Sequence, residues 1–326
     1  MAHTLLPRAG QPLVLIEAAD ERGLMALDYS SLEALYKAHG ALLLRGFGAN
    51  LAQFQAFAKQ FCSTAVVNES PGRTLLDPGA AIYSVDGGTN AFSLHPELSR
   101  EPWKPDLAMF GCLSAPGAGG QTTLCDGIAL VRALPAEVRR GLADRRLVYV
   151  AATWPELLRY WLGTDNPSDA ALRAPPDNCP YSFARLAGGR IVRHFSRPAL
   201  HRPMFADGPA FGNFLLFARF NNGRNDYPLL DDLRPVPDAW VLAIKTASDR
   251  LTCAVEWQAG DVLMLDNTRF MHGRTAIIDA ADRQIATYFG YLNFAVPDPE
   301  ELANPIWRRE DFHPPRPPLE MVGSAR

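Results

Sequence analysis

The sequence is poor in cysteine, with only five among its 326 residues. The number is odd, and no two cysteines are spaced as a CxxC pair. A disulfide scaffold and a zinc–thiolate site both need paired or closely spaced thiols, so the pattern argues against both. Reduced thiols, mostly in the interior of a cytoplasmic protein, are the better interpretation.

The sequence also lacks a large charge of either sign and lacks long apolar runs. Its formal net charge is −3 and it has no basic run, which argues against a nucleic-acid partner. The longest apolar runs are short, such as 41–44 and 262–265, whereas a membrane span needs roughly 20 apolar residues. Residues 1–18 are not typical of a signal peptide. We therefore expect no membrane partner, and nothing in the sequence indicates an oligomeric state.

Helix and strand signals alternate in the N-terminal part of the chain. Ser30 and Glu33 form a capping-box pattern for a helix that ends near Gly40. The apolar run at 41–44 predicts a buried strand, and Asn50 precedes a second stretch with helical spacing.

Strand signals dominate from about residue 80 onward. Strands are predicted at 107–113, 147–152, 214–220, 262–265 and 284–294, and a late helix at 239–248. Many short strands with flanking helices predict a mostly β fold of two packed sheets, a jelly roll. We expect a single catalytic domain over 1–326, with a lid insertion at 154–209 and an extended C-terminal tail from 306.

Two of the seven histidines stand in unusual company. His95 precedes Glu97 by two residues, and His272 closes the segment 266–272. In a strand, residues i and i+2 point to the same face, so the imidazole of His95 and the carboxylate of Glu97 would converge. His272 from another strand would complete a face of two histidines and one carboxylate. That set suits Fe(II) and leaves positions for a bidentate co-substrate and dioxygen.

Other interpretations of these three residues stay open at this point. A single histidine is usually structural, and Glu97 alone would be an ordinary surface carboxylate. Zinc also accepts two histidines and a glutamate, so a zinc-dependent hydrolase is one alternative. A non-catalytic jelly-roll binding protein is another, although it predicts erosion of a ligand set that is complete here.

Four motifs in a fixed order connect the chain to a known family. His95 and Glu97 come first, and residues 119–122 then read Gly-Gly-Gln-Thr. His272 follows within His-Gly-Arg, and Arg283 lies eleven residues beyond it. The ordered set resembles the taurine/2,4-D dioxygenase family, the TauD-like group of 2-oxoglutarate oxygenases.

The resemblance covers roughly residues 41–293 and implies a double-stranded β-helix, the jelly roll predicted above. It implies that 2-oxoglutarate chelates Fe(II) while its far carboxylate meets Arg283 and the hydroxyl of Thr122. Dioxygen would drive decarboxylation to succinate and CO2, with hydroxylation of the substrate as the default result and desaturation or ring closure as alternatives. Glu97 is the carboxylate that related halogenases lack, so halogenation is disfavoured.

The substrate is harder to predict. A glutamate at position 97 resembles family members that act on amino acids, free or tethered to a carrier protein, so we expect a small polar substrate of that kind. The polar stretch 219–226 is typical of a solvated turn, or of a pocket edge that binds a carboxylate or amine. Arg219 and Asn221 are therefore candidate substrate ligands. Arg274 is a third, because it follows His272 and either faces the site or braces the sheet.

Overall fold

Helices and strands alternate along the chain of the computed structural model, which describes residues 2–68, 70, 72–296 and 298–318. The α-helices within these ranges are α1 (Tyr29–His39), α2 (Leu51–Phe61), α3 (Gly127–Ala133), α4 (Ala136–Ala143), α5 (Pro155–Leu162), α6 (Asp169–Arg173), α7 (Leu215–Phe220) and α8 (Asp238–Leu251). The strands are β1 (His3–Leu5), β2 (Val14–Glu17), β3 (Ala41–Arg45), β4 (Cys62–Ala65), β5 (Leu75–Asp77), β6 (Ile82–Ser84), β7 (Phe92–His95), β8 (Leu107–Ser114), β9 (Ala118–Gly119), β10 (Thr122–Asp126), β11 (Arg146–Ala152), β12 (Ser182–Arg185), β13 (Ile191–Pro198), β14 (Leu229–Leu230), β15 (Cys253–Val255), β16 (Val262–Asp266), β17 (Phe270–Arg274), β18 (Ile277–Asp279) and β19 (Gln284–Leu292). Short 3-10 helices lie at Leu24–Ala26, Pro78–Ala80 and Ile306–Arg308.

Two of the sheets formed by these strands face each other. The major sheet has the order β1-β2-β3-β16-β8-β19-β6-β5, and β4 also pairs with β19. The minor sheet has the order β15-β10-β17-β7. A further sheet, β12-β13-β11-β14, and the pair β18-β9 complete the strand pairing of the described residues. The predicted jelly roll is confirmed.

The apolar runs of the sequence become central strands of the major sheet because both faces of that sheet are covered. On β8, Ala108 and Phe110 join the core between the two sheets, which also contains Leu124 from the minor sheet. Leu107 and Met109 point the other way and pack against α1 and α2. Alternate side chains of β8 thus enter two different cores. This explains why its sequence is a continuous apolar run and not an apolar–polar repeat.

The predicted N-terminal elements are present, with one change at a helix start. Helix α1 is capped by Asp28, whose side chain accepts a hydrogen bond from the backbone of Ser31, so Ser30 is not the N-cap residue. The helix ends at Gly40 as predicted. Asn50 caps α2 with a capping box completed by Gln53.

The strand predicted at 214–220 is wrong, because these residues form helix α7. A short run of apolar residues does not distinguish a buried strand from a buried helix by periodicity alone. Here the helix buries Leu215, Leu216 and Ala218. The ring of Phe217 packs against Phe92 of β7, at 5.8 Å between centroids.

The segment 154–209 is built from α5, α6 and the β12–β13 hairpin. β13 pairs with β11, and Trp154, Trp161 and Tyr181 contribute to a small core of the segment's own. Its role as a lid stays a prediction, as does the single catalytic domain. The tail is not extended at its start: residues 306–308 form a 3-10 helix and Trp307 is buried. Residues 319–326 lie outside the described residues.

The five cysteines are free thiols, and three of them are buried. Burial raises the pKa of Cys112 and of Cys125 to about 12, so both stay protonated near neutral pH. Within the described ranges, no helix combines the length and apolar character that crossing a bilayer requires.

Candidate metal centre

His95 and His272 lie side by side on neighbouring strands of the minor sheet. They are register partners on β7 and β17, and their ring centroids are 4.7 Å apart. His272 also packs against Phe110 of the major sheet, at 5.0 Å between centroids, so the pair lies between the two sheets. Nδ1 of His95 is 2.8 Å from the carbonyl oxygen of Ser93, which leaves Nε2 free to ligate. Burial, with repulsion from His272, lowers the pKa of His95 to about 4. The ring is therefore neutral near neutral pH, as a metal ligand must be.

Glu97 completes the cluster from just beyond the end of β7 rather than from within the strand. Its Oε2 is 3.6 Å from Nε2 of His272, and the ligand atoms of the three residues all lie within 4.8 Å of one another. Burial alone would raise the pKa of Glu97. The charge of Arg73 and the hydrogen bond with His272 outweigh burial and hold the pKa of Glu97 well below its ordinary value. Two imidazoles and one carboxylate converging at one point fit a divalent cation, and Fe(II) in particular.

Asn267 fixes the backbone that carries Glu97. Its Oδ1 accepts a hydrogen bond from the Glu97 amide at 2.7 Å. Its Nδ2 donates to the carbonyl of Glu97 at 3.0 Å and to that of Pro105 at 2.8 Å. The sequence offered no signal for this role beyond the position of Asn267 five residues before His272. Outer groups of this kind orient metal ligands and are part of the site.

Replacing Asn267 with alanine should weaken both the fold and the metal site. Three buried backbone groups would lose their partners, and each unsatisfied group costs about 1–3 kcal/mol, so we expect the free energy of unfolding to fall by at least about 3 kcal/mol. Metal affinity should fall by about 10- to 100-fold. Urea unfolding of the metal-free protein and a Mn(II) titration measure the two effects. Asn293→Ala, at an exposed asparagine, is the matched control. Equal metal affinity for both variants would contradict the role given to Asn267.

The carboxylate of Glu97 is also held by two side chains from the loop between β4 and β5. Asn68 donates to Oε1 from its amide nitrogen. Arg73 lies 3.3 Å from Oε2. Neither contact could be predicted from the sequence, because the two residues belong to no motif and are separated from Glu97 by 24 to 29 positions.

Arg283, assigned to 2-oxoglutarate by resemblance together with Thr122, contacts the backbone two residues before Thr122. Arg283 precedes β19 and lies 3.4 Å from the carbonyl of Gly120, two residues before Thr122. A Cβ at Gly120 would come within 3.1 Å of Nε of Arg283, and the residue has a φ of +71°, so glycine suits this close approach. Burial, with repulsion from Arg274, lowers the pKa of Arg283 to about 10, and the side chain stays charged at neutral pH.

No carboxylate among the described residues pairs with Arg283. Its Nε is buried and has no hydrogen-bond partner among them. The hydroxyl of Thr122 accepts a hydrogen bond from Nε1 of Trp257 at 3.1 Å, which leaves its own proton available for donation. A partly buried guanidinium with an unpaired nitrogen, together with a hydroxyl whose proton is available, fits a carboxylate ligand.

The three predicted substrate ligands have other contacts in this structure. Arg219 is buried on α7, pairs with Asp238 at 2.6 Å and donates to the carbonyl of Val236. Asn221 bridges α7 to β7: it accepts from the amide of Ser93 and donates to the carbonyl of Ala91.

Arg274 donates to backbone carbonyls of Asp86, Gly88 and Asn90 at 2.6–3.3 Å and stacks on the ring of Phe92. Contact of Arg219, Asn221 or Arg274 with substrate stays a prediction.

A jelly roll that carries two histidines and a carboxylate between its sheets, together with an arginine that has a buried, unpaired nitrogen, is typical of non-haem iron oxygenases. A family model supports this class: that of the taurine catabolism dioxygenase TauD, TfdA family matches residues 9–287. The chain belongs to this family. It is a 2-oxoglutarate-dependent non-haem iron dioxygenase that uses Fe(II), 2-oxoglutarate and O2, which argues against the zinc hydrolase and the non-catalytic protein.

Solved structures with the same fold are similar over almost the whole chain. The PvcB protein from Pseudomonas aeruginosa superposes with a TM-score of 0.61 at 17% identity, over 91% of this chain and 94% of that one. PvcB is described as an Fe, alpha-ketoglutarate dependent oxygenase from an isonitrile synthetic pathway.

A taurine dioxygenase from Burkholderia xenovorans gives a TM-score of 0.57 at 15% identity, over 92% of this chain and 93% of that one. At these identities the likeness shows the fold. No curated protein matches the sequence significantly.

Proposed function

We propose that the protein hydroxylates an unactivated C–H bond of a small, amino-acid-like substrate at an iron centre held by His95, Glu97 and His272. The observation that carries the proposal is the convergence of these three side chains, whose ligand atoms lie within 4.8 Å of one another between the sheets. When bound there, Fe(II) would allow dioxygen and 2-oxoglutarate to react together, giving succinate and CO2.

The residues around the centre would each do a defined task. His95 is kept neutral by burial and presents Nε2. Asn267 fixes the backbone of Glu97, and Asn68 fixes one oxygen of its carboxylate. Arg283 and the free hydroxyl proton of Thr122 would hold the far carboxylate of 2-oxoglutarate by charge-assisted hydrogen bonds. Retention of a carboxylate at position 97 disfavours halogenation.

The substrate would lie on the side of His95 that is lined by aromatic rings. Phe217 packs edge-on against His95 at 4.6 Å between centroids, and Phe214 lies at 6.4 Å. Arg100 stacks over Phe214, at 5.1 Å from the ring centroid. Aromatic walls with a cation at the edge suit a small substrate that has an apolar part and an acidic group. A substrate free in solution and one tethered to a carrier protein are both compatible with this surface.

The free thiols support a reducing, cytoplasmic setting.

Succinate formation tests the proposal. Protein purified without oxygen would be given Fe(II), 2-oxoglutarate and air, across a panel of L-amino acids. Succinate stimulated by a member of the panel is the expected result, with the hydroxylated product identified by mass spectrometry. A folded, iron-loaded protein that forms no succinate with any member, and none in the absence of substrate, would contradict the proposed reaction.

A further inference from the structure

Arg73 places a buried positive charge beside the metal ligands. Its side chain is 12% exposed and that of Glu97 is 4% exposed. One terminal nitrogen lies 3.3 Å from Oε2 of Glu97, and the other donates to Oγ1 of Thr287 at 3.2 Å. The guanidinium also stacks on the ring of Phe289, at 5.2 Å from the centroid. The motifs that the sequence shares with its family do not include this residue.

The guanidinium of Arg73 is held more loosely than those of two half-buried arginines, Arg308 and Arg45. Arg308 makes contacts of 2.8–3.0 Å with the carboxylates of Asp106 and Glu301. Arg45 makes a contact of 2.7 Å with Asp261. Charge-assisted contacts of arginine are usually about 2.7–2.9 Å, and a guanidinium has five N–H donors. Both contacts of Arg73 are longer than this, and only two of its donors are used among the described residues.

The partner of Arg73 changes character once a cation is bound. Glu97 would then share its negative charge with the metal, and a divalent cation would be the largest local charge. With 2-oxoglutarate in place, the positive charges of the cation, Arg73 and Arg283 exceed the negative charges of Glu97 and the two carboxylates by one unit. A buried site with one uncompensated positive charge favours an anionic group on the second substrate.

We propose that Arg73 binds a carboxylate of the substrate, and that the substrate is therefore a free acid rather than a thioester tethered to a carrier protein. The inference rests on the proposed function and chooses between the two substrate forms that function leaves open. Thr287 and Phe289 of β19 hold the guanidinium of Arg73 in place. One of its nitrogens lies 3.3 Å from Oε2 of the metal ligand Glu97. A carboxylate bound there would place the α- and β-carbons of an amino acid near the metal.

The test compares acids with their uncharged counterparts. The probes are L-amino acids, their carboxamides and their pantetheine thioesters, titrated without oxygen into protein loaded with Mn(II) and 2-oxoglutarate. Binding by calorimetry is read together with stimulated succinate formation by the Fe(II) protein in air. We expect acids to bind and stimulate, with carboxamides and thioesters weaker by about 10- to 100-fold, the loss of a hydrogen bond to a charged group. The wild-type comparison needs no variant to fold.

Variants of Arg73 locate the preference. Arg73→Gln should bind acids and carboxamides equally while keeping its affinity for 2-oxoglutarate, measured at Mn(II) concentrations that saturate both proteins because Arg73 also contacts Glu97. Arg73→Lys should recover part of the preference. Arg146→Gln, at a partly exposed arginine paired with Glu300, should leave every value unchanged.

If the iron-loaded wild type still forms succinate, the proposed function stands, and three results would overturn the inference alone. These are carboxamides or thioesters that bind as well as acids, no acid bound at all, or an Arg73→Gln variant that loses 2-oxoglutarate instead. Complete absence of succinate from the iron-loaded wild type would overturn the proposed function and this inference together.

Discussion

Replacing Glu97 with alanine is expected to abolish substrate-stimulated succinate formation. The change removes the only carboxylate of the ligand cluster and leaves two histidines that belong to neighbouring strands. Outer groups of metal sites commonly contribute 10- to 100-fold in affinity or activity, and a direct ligand contributes more, so we expect a loss of at least about 100-fold. Iron content after anaerobic loading and succinate release under air measure the two consequences.

The same change also affects the fold, so the metal-free variant must be compared first. Without Glu97, the amide of Asn68 and the guanidinium of Arg73 lose a buried partner. Removing one member of a buried charge pair costs about 3–5 kcal/mol, which urea unfolding would detect. Glu300→Ala, at a partly exposed glutamate, controls for the loss of a carboxylate elsewhere. Wild-type rates from a folded Glu97→Ala protein would remove Glu97 from the metal centre.

Arg283→Ala should chiefly raise the concentration of 2-oxoglutarate that the protein needs. The guanidinium is partly buried and charged at neutral pH, and its buried Nε has no partner among the described residues. Loss of a charge-assisted pair worth roughly 1.5–3 kcal/mol corresponds to about a 10- to 100-fold rise in the half-saturating concentration. Initial rates of succinate formation against 2-oxoglutarate give this value directly.

Two further variants make the result specific. Arg283→Lys keeps the charge but loses the planar pair of donors, so it should recover only part of the affinity. Arg202→Ala removes an exposed arginine that pairs with Asp207 and should leave the requirement as in the wild type. An unchanged requirement in Arg283→Ala would place the anchor of 2-oxoglutarate on another residue.

The metal ligands could be predicted from the sequence because their chemistry is concentrated in short motifs. His95 and Glu97 are two positions apart, and only a distal histidine had to be added. The structure brings all three together. Strand alternation does not by itself position Glu97, because this residue lies past the end of β7 and its backbone is fixed by Asn267.

The surroundings of the ligands could not be predicted, because they come from segments far apart in the chain. Asn68 and Arg73 reach Glu97 from a loop with no regular pattern. A strand was predicted at 214–220, but the structure has helix α7 there. Arg219 therefore lies on a helix, where it pairs with Asp238, and not on the face of a strand. Which partner a buried arginine finds depends on tertiary packing, and local sequence carries little information about it.

Strand β7 lies at the edge of the minor sheet, and within the described part of the chain it pairs only with β17. A cation held by His95, Glu97 and His272 would connect this edge strand, its neighbour and the following turn at a single point. Because such a site exists only when the chain is folded, metal binding adds to the free energy of unfolding. The ion would then stabilise the edge of the sheet in addition to its role in the reaction. The free energy of unfolding would therefore depend on the concentration of free metal.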